Sequence, residues 1–366
     1  MEEHSPLEAE IRRRITAAGP MPVSEYMALC LADPKHGYYI TRDPFGVKGD
    51  FTTAPEISQM FGELIGLWMA AVWKQMGSPE NVRVIELGPG RGTLMNDALR
   101  AVQVLPEFRA AIVVHLIEIS PPLQAQQEHT LEGLATPVFW HGAIDDVPAG
   151  PAIIIANEFF DALPVNQAIK VGAGWHERQV EMDRDGQFVF TVARDPLPRF
   201  EHLLPQALRG APDDSIFEWR SGVMGMEIGR RITASPGAAL VIDYGHAPSA
   251  AGDTFQAVGH HAFADPLIAP GKVDLTAHVD FQALAQEVEA MGATAYGPLT
   301  QTDFLRRLGI DARAAALKTN ARRAQAAEID SALARLTGKG RTGMGDLFKA
   351  MAFTHSKVGA PAGFDA

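Results

Sequence analysis

Between residues 82 and 244 short apolar runs are separated by segments of helical periodicity, the alternation expected of an α/β sheet. The runs predict strands at 82–87, 112–118, 136–140, 152–156 and 239–244. Upstream, residues 1–80 read as helices around an irregular loop. Ser5 caps the first helix, Pro6 takes its first position and Glu8 its third. A helix from Pro55 to Met76 carries Ile57, Phe61, Leu64, Ile65, Trp68 and Met69 on one face. From Val165 to Pro236 the pattern changes: Val180 and Met182 alternate with Gln179 and Glu181, and Asp183-Arg184-Asp185-Gly186 turns into a second strand at 187–192. A helix over Phe217–Thr233 follows this hairpin. Residues 246–280 read as a long loop, and 281–366 as helices with a last strand near Phe348–Phe353. The expected organisation is an N-terminal helical lid region (1–80), an α/β core (81–164 and 237–366) and a hairpin-plus-helix insertion (165–236).

Composition narrows the class. The chain has 366 residues, 46% of them hydrophobic and 21% charged, as in an ordinary globular protein. A formal net charge of -12 argues against a general nucleic-acid binder. Cys30 is the one cysteine, so neither a disulfide framework nor a cysteine-based zinc site is available. No apolar stretch reaches the length of a membrane span, and the charged N-terminus lacks a signal-peptide core. These features lead to the expectation of a cytoplasmic protein.

The chemistry is concentrated in VRVIELGPGRGTLM, residues 82–95. A strand ends in the turn Gly88-Pro89-Gly90-Arg91-Gly92, and a helix carrying Leu94, Ala98 and Leu99 begins. In the dinucleotide fingerprint G-x-G-x-x-G the last position is glycine; here it is Thr93, and the third glycine comes one residue early. Glu86, two residues before the turn, opposes a pyrophosphate at this helix N-terminus. It suits the ammonium of S-adenosylmethionine, which carries no phosphate. A second acid is expected at the end of the next strand, to accept from both ribose hydroxyls, and Glu118 stands there. The cofactor candidates are therefore Glu86, Gly88, Pro89, Gly90, Gly92, Thr93 and Glu118. Asp145 joins them for the adenine amino group, and Asn157 at the end of the fourth strand. A dehydrogenase is disfavoured by the same residues.

Six ordered stretches resemble the MidA-type class I methyltransferases: GDFTTAPEISQMFGELIGLW (49–68), ELGPGRGTLMNDALR (86–100), IEISPPLQAQQ (117–127), ANEFFDALPVNQ (156–167), IDYG (242–245) and DPLIAPGKVDLTAHVDF (265–281). The resemblance runs from about residue 20 nearly to the end. It implies a mostly parallel, seven-stranded, Rossmann-like sheet with helical and hairpin additions, and S-adenosylmethionine as methyl donor. For the mitochondrial members, which are complex I assembly factors, it implies symmetric dimethylation of an arginine on a complex I subunit.

An arginine acceptor would arrive fully charged, and carboxylates hold a guanidinium by paired hydrogen bonds. Glu158 and Asp161, just past the fourth strand, are the catalytic candidates, with helix capping as the alternative role for Asp161. Phe159 and Phe160 are candidate channel walls, one of them alternatively core. Thr53, Pro55, Glu56 and Gln59 form a candidate lid, in which Thr53 also reads as a helix cap. Tyr244 and His278 complete the substrate-side candidates. The cluster His260, His261, Asp265, Asp274, His278 and Asp280 lacks metal-binding spacing, so no metal is expected. Two other functions remain open from sequence: methylation of a small molecule, and a non-enzymatic assembly chaperone. Oligomeric state is not legible.

Overall fold

The computed structural model describes residues 5–41, 52–202, 204–259, 262–340 and 343–365. Contacts divide the chain into two compact units. One comprises 1–51, 161–221 and 248–280; the other comprises 52–160, 222–247 and 281–366. These boundaries differ from the lid, core and insertion boundaries expected above, because the N-terminal helices group with the insertion strands.

The larger unit is built on a seven-strand path: β1 (Val82–Leu87), β2 (Ile112–Ile117), β3 (Val138–His141), β4 (Ala152–Asn157), β5 (Gly237–His246), β6 (Thr294–Thr300) and β7 (Phe348–Thr354). Their spatial order is β6-β7-β5-β4-β1-β2-β3. The five strands from β3 to β5 are parallel. β7 runs antiparallel between β5 and β6. The order reverses between β1 and β4, and ligands of open α/β sheets bind beyond the strand ends at such a reversal. The central strands are apolar almost throughout because both faces are covered. Helices α1 (Gln59–Gln75), α2 (Thr93–Ala101), α3 (Pro121–Thr130), α4 (Val223–Ala234) and α5 (Phe281–Glu289) belong to this unit. The core joins Phe61, Ile65 and Trp68 of α1, Leu94 and Ala98 of α2, and Val84, Ile153 and Leu240 of the sheet.

In the smaller unit, strands at Val165–Val171, Gly174–Met182, Phe188–Pro196 and Ile216–Arg220 form an antiparallel sheet with Met21–Pro22. Helices Pro6–Ala18 and Val23–Ala32 supply Leu7, Ile11, Ile15, Tyr26 and Met27 to a core shared with Val165 and Val180. The Ser5 side chain caps the first helix, accepting from the Glu8 amide.

Several local expectations need correction. Phe217 and Trp219 lie in a strand, and the helix begins only at Val223. Phe217 is buried beside Phe200 and Trp175, so an apolar pattern that served either period was claimed by the sheet. The supposed loop at 246–280 contains strands at Gln256–Gly259, Ala262–Ala264 and Asp274–Thr276. The helical C-terminal region also contains β6, whose Tyr296-Gly297-Pro298 interruption hid the strand pattern. The expected helix over Pro55–Met76 is two pieces, Ala54–Ile57 and α1, broken at Ser58.

Candidate active site

The candidate donor site is built at the carboxyl ends of β1, β2 and β4. Each strand is held in register with its neighbour, so Glu86 pairs with Leu116 on one side and Ile155 on the other. The chain then leaves the sheet through Gly88, Gly90 and Gly92, all with positive φ (62°, 54° and 80°). At Gly88 a side chain would also meet the ring of Phe159, 3.0 Å from the position of a Cβ. The Pro89 carbonyl accepts the Gly92 N–H at 2.8 Å, closing the turn. Thr93 opens α2, and its hydroxyl donates to Glu56 Oε1 at 2.5 Å.

Glu86 is buried, and loss of hydration pushes its carboxyl up to about 8. Glu118, just past β2, is also raised by burial. The amide of Ser120 and the side chain of Gln127 oppose that rise by donating to its two oxygens at 2.8 and 3.1 Å. Asn157 ends β4, and its side-chain amide donates to Glu158 Oε1 at 3.2 Å. Glu86 Oε2, Ser120 Oγ and Asn157 Oδ1 are buried with no hydrogen-bond partner among the described residues. Three such oxygens at the ends of β1, β2 and β4 are uncommon in a folded protein and point to a polar ligand.

Glu158 adopts a left-handed conformation, φ 51°, unusual for a residue with a Cβ. Its backbone N–H donates to Ile242 O at 2.9 Å, and its carboxylate accepts the Ala54 N–H at 3.1 Å. No helix starts at 157–163, which removes the capping role weighed for Asp161. Phe159 and Phe160 pack edge to face, with Phe160 buried.

The structure therefore gathers Glu86, Gly88, Pro89, Gly90, Gly92, Thr93, Glu118, Asn157, Glu158, Phe159 and Phe160 on one unit, with Thr53, Pro55 and Glu56. Thr53 precedes the short helix but makes no side-chain cap; Ser58 caps α1 instead, accepting the Met60 N–H at 3.2 Å. Gln59 is exposed and accepts from Arg100 at 3.2 Å. Asp145 is exposed on a short turn after β3, 3.5 Å from Arg230. Tyr244 packs its ring on Phe348, 5.4 Å between centroids. Asp161 and His278 belong to the smaller unit. There the Asp161 carbonyl accepts the Ala277 N–H at 3.1 Å, and the His278 N–H donates to Thr254 Oγ1 at 2.8 Å. His260 and His261, like residues 49–51 of the proposed lid stretch, lie outside the described residues. Among the described residues no helix is long and apolar enough to cross a membrane.

Three residues that sequence reasoning assigned no role support this site. Asp243 Oδ2 accepts the N–H groups of Phe159 (3.2 Å) and Phe160 (2.9 Å). Arg231 donates to the carbonyls of Ile144 (2.7 Å) and Val147 (2.9 Å), holding the Asp145 turn. Gln127 binds both Glu118 and the glycine turn. Only their neighbourhood in the quoted motifs hinted at Asp243 and Gln127; nothing local marked Arg231.

Residues 64–299 match the family described as "Putative S-adenosyl-L-methionine-dependent methyltransferase". The mitochondrial protein arginine methyltransferase NDUFAF7 homolog of Drosophila melanogaster is 38% identical over 95% of this chain and 85% of its own length. The mitochondrial protein arginine methyltransferase NDUFAF7 of Homo sapiens is 37% identical over 84% of this chain and 75% of its own. A Burkholderia thailandensis protein crystallised with S-adenosyl-homocysteine superposes with a TM-score of 0.84 at 29% identity, covering 100% of this chain and 96% of that one. The mitochondrial names of these relatives overturn the cytoplasmic assignment, which rested on the absence of targeting features in the sequence. The sheet order, the glycine turn and these matches together establish that the chain belongs to the S-adenosyl-L-methionine-dependent methyltransferase family, on a class I Rossmann-like fold.

Proposed function

We propose that this protein methylates an arginine side chain of a protein, with a subunit of respiratory complex I as the acceptor. The observation that carries the site is the set of buried oxygens without partners among the described residues, Glu86 Oε2, Ser120 Oγ and Asn157 Oδ1. The donor presents hydrogen-bond donors of its own: an ammonium, two ribose hydroxyls and an adenine amino group. The chain presents acceptors at the strand ends, so the two are chemically matched. Glu86 takes the ammonium and Glu118 the ribose hydroxyls. Gly88, Pro89, Gly90 and Gly92 give backbone contact free of side chains, and Thr93 fixes the start of α2. Asp145 meets the adenine edge, and Asn157 faces the amino-acid end. When bound, S-adenosylmethionine supplies an electrophilic methyl carbon on a positively charged sulfur.

The chain's own residues orient the acceptor and exclude water. Glu158 is the carboxylate that takes the guanidinium. Its left-handed backbone and its bond to the Ala54 N–H fix the direction of the side chain. With Oε1 already accepting from Ala54 and Asn157, Oε2 would meet the planar fork and aim one nitrogen. Asp161, three residues along the chain, is carried as the second candidate on sequence grounds, with Phe159, Phe160, Tyr244 and His278 as acceptor contacts. Thr53, Pro55, Glu56 and Gln59 serve as the lid. The arginine assignment draws on the names of the relatives, and the complex I subunit on the family resemblance.

The test is incubation of the purified protein with isotope-labelled donor and an extract lacking the enzyme, followed by mass spectrometry. Label on a protein arginine is expected, lost in Glu158→Gln while S-adenosyl-homocysteine still binds. Label confined to small molecules would overturn the reading in favour of a metabolite methyltransferase. Assembly activity that persists in an inactive Glu158→Gln would favour the chaperone role.

A further inference from the structure

We propose that Gln127 is a positioning residue that sets the spacing between the ribose acid Glu118 and the glycine turn. The inference rests on the S-adenosyl-binding reading and extends it to a residue that need not touch the ligand. Gln127 lies on α3 and is completely buried. Its Nε2 donates to Gly90 O at 2.7 Å and to Glu118 Oε2 at 3.1 Å. Its Oε1 accepts the indole N–H of Trp140 at 2.9 Å. Two acceptors at one end and a donor-only indole at the other fix the orientation of the amide without ambiguity.

One buried side chain thus joins the turn after β1, the acid after β2 and a residue within β3. The Cα of Gly92 also faces it: a Cβ there would lie 3.5 Å from Gln127 Cα, so the helix backbone abuts the turn. The consequence for Glu118 is specific. The Ser120 N–H donates to Oε1 and Gln127 to Oε2, and the Ile119 N–H is also directed at the carboxylate. Bonds at both oxygens fix the plane of the carboxylate, and with it the direction in which it can meet two vicinal hydroxyls. Without the amide, Oε2 is released, Gly90 O loses its partner, and the acid and the turn can drift relative to each other. A donor contacting both would lose affinity from such a drift, although no contact to it has been removed.

The experiment is a thermodynamic cycle read by calorimetric titration of S-adenosyl-homocysteine, with melting temperatures recorded without ligand. Wild type, Gln127→Leu, Glu118→Gln and the double variant are compared. Gln127→Leu should weaken binding about 10- to 100-fold. In the Glu118→Gln background the same change should weaken it by less than about threefold, because the group through which Gln127 acts is already altered. Gln127→Glu keeps the acceptor for Trp140 and the side-chain length but loses the amide donors. It should also weaken binding, and it serves if the leucine variant fails to fold. Equal losses in both backgrounds would reduce Gln127 to a structural residue and overturn the proposal, as would unchanged affinity in Gln127→Leu or Gln127→Glu. Failure of wild type to bind S-adenosyl-homocysteine would instead overturn the reading on which the proposal rests.

Discussion

Asp243 Oδ2 accepts the backbone N–H of Phe160 at 2.9 Å, joining β5 to the turn that follows β4. The same oxygen takes the Phe159 N–H at 3.2 Å, while Oδ1 takes the Tyr244 N–H at 2.9 Å. Asp243 is fully buried, so these bonds form where water cannot replace them. They hold the residues directly after Glu158, whose left-handed backbone would otherwise relax. Asp243→Ala should therefore cost about 3 kcal/mol of stability by urea denaturation. It should also lower methyl transfer at least about tenfold, while affinity for S-adenosyl-homocysteine changes little. A variant with normal turnover would show that the turn does not depend on this carboxylate.

Glu86 gives a pH dependence with a definite sign. Its folded-state carboxyl is pushed up to about 8 from an ordinary 4.5 by burial. Between those values the folded chain keeps a proton that the unfolded chain has released, so stability falls as pH rises through this window. The contribution is fully present below about 4.5 and gone above about 8. Binding of an ammonium at Glu86 favours the ionised form, so ligand affinity should run the other way. S-Adenosyl-homocysteine should raise the melting temperature more at about pH 8.5 than at about pH 6. Glu86→Gln should flatten both trends. A wild-type ligand shift independent of pH would remove Glu86 from the ammonium site.

The candidate donor half of the site was legible because it follows local rules. Glu86, the glycine turn and Glu118 sit at strand ends that apolar runs predict, and the strand-turn-helix sequence leaves them little choice of place. Six of the sheet's strands, β1 to β5 and β7, were visible for the same reason. The strand at Ile216–Arg220 was not, because Phe217 and Trp219 fit a helical as well as an alternating period. β6 was hidden by a glycine and a proline in its middle. The supporting residues were the least legible. Gln127, Asp243 and Arg231 act through partners far along the chain, up to 87 positions for Arg231 and Ile144. Only the folded register brings those partners together, and no local residue pattern encodes it.

In the smaller unit, Arg220 is the corresponding support. Its guanidinium donates to four carbonyls: Leu163 (3.1 Å), His278 (2.7 Å), Asp161 (3.2 Å) and Ala277 (2.6 Å). A lysine ammonium has three donors on a flexible stem and cannot reproduce this fork. Arg220→Lys should lower stability by about 1–3 kcal/mol, and Arg220→Met by more. The local readout is amide exchange at Ala277, whose N–H donates to Asp161 O at 3.1 Å. That exchange should quicken in both variants. Unchanged protection at Ala277 would mean that the 161–163 and 277–278 segments are held by other contacts.

α1 lies against α2 through Gly62 and Gly66, one turn apart. A Cβ at Gly66 would stand 2.5 Å from Ala98 O and 2.8 Å from Ala98 Cα. One at Gly62 would stand 2.7 Å from Asp97 Cβ and 2.9 Å from Leu94 O. On helix propensity alone, glycine to alanine in a helix interior would stabilise by about 1 kcal/mol. Here the obstacle at Gly66 is backbone, which no rotamer change can move aside, so overpacking should win. Gly66→Ala should be destabilising by about 1–3 kcal/mol, with the urea midpoint lowered and the slope unchanged. Because α2 begins at the glycine turn, its displacement should also weaken S-adenosyl-homocysteine binding. A raised midpoint would show that propensity outweighs the clash and that the two helices have room to separate.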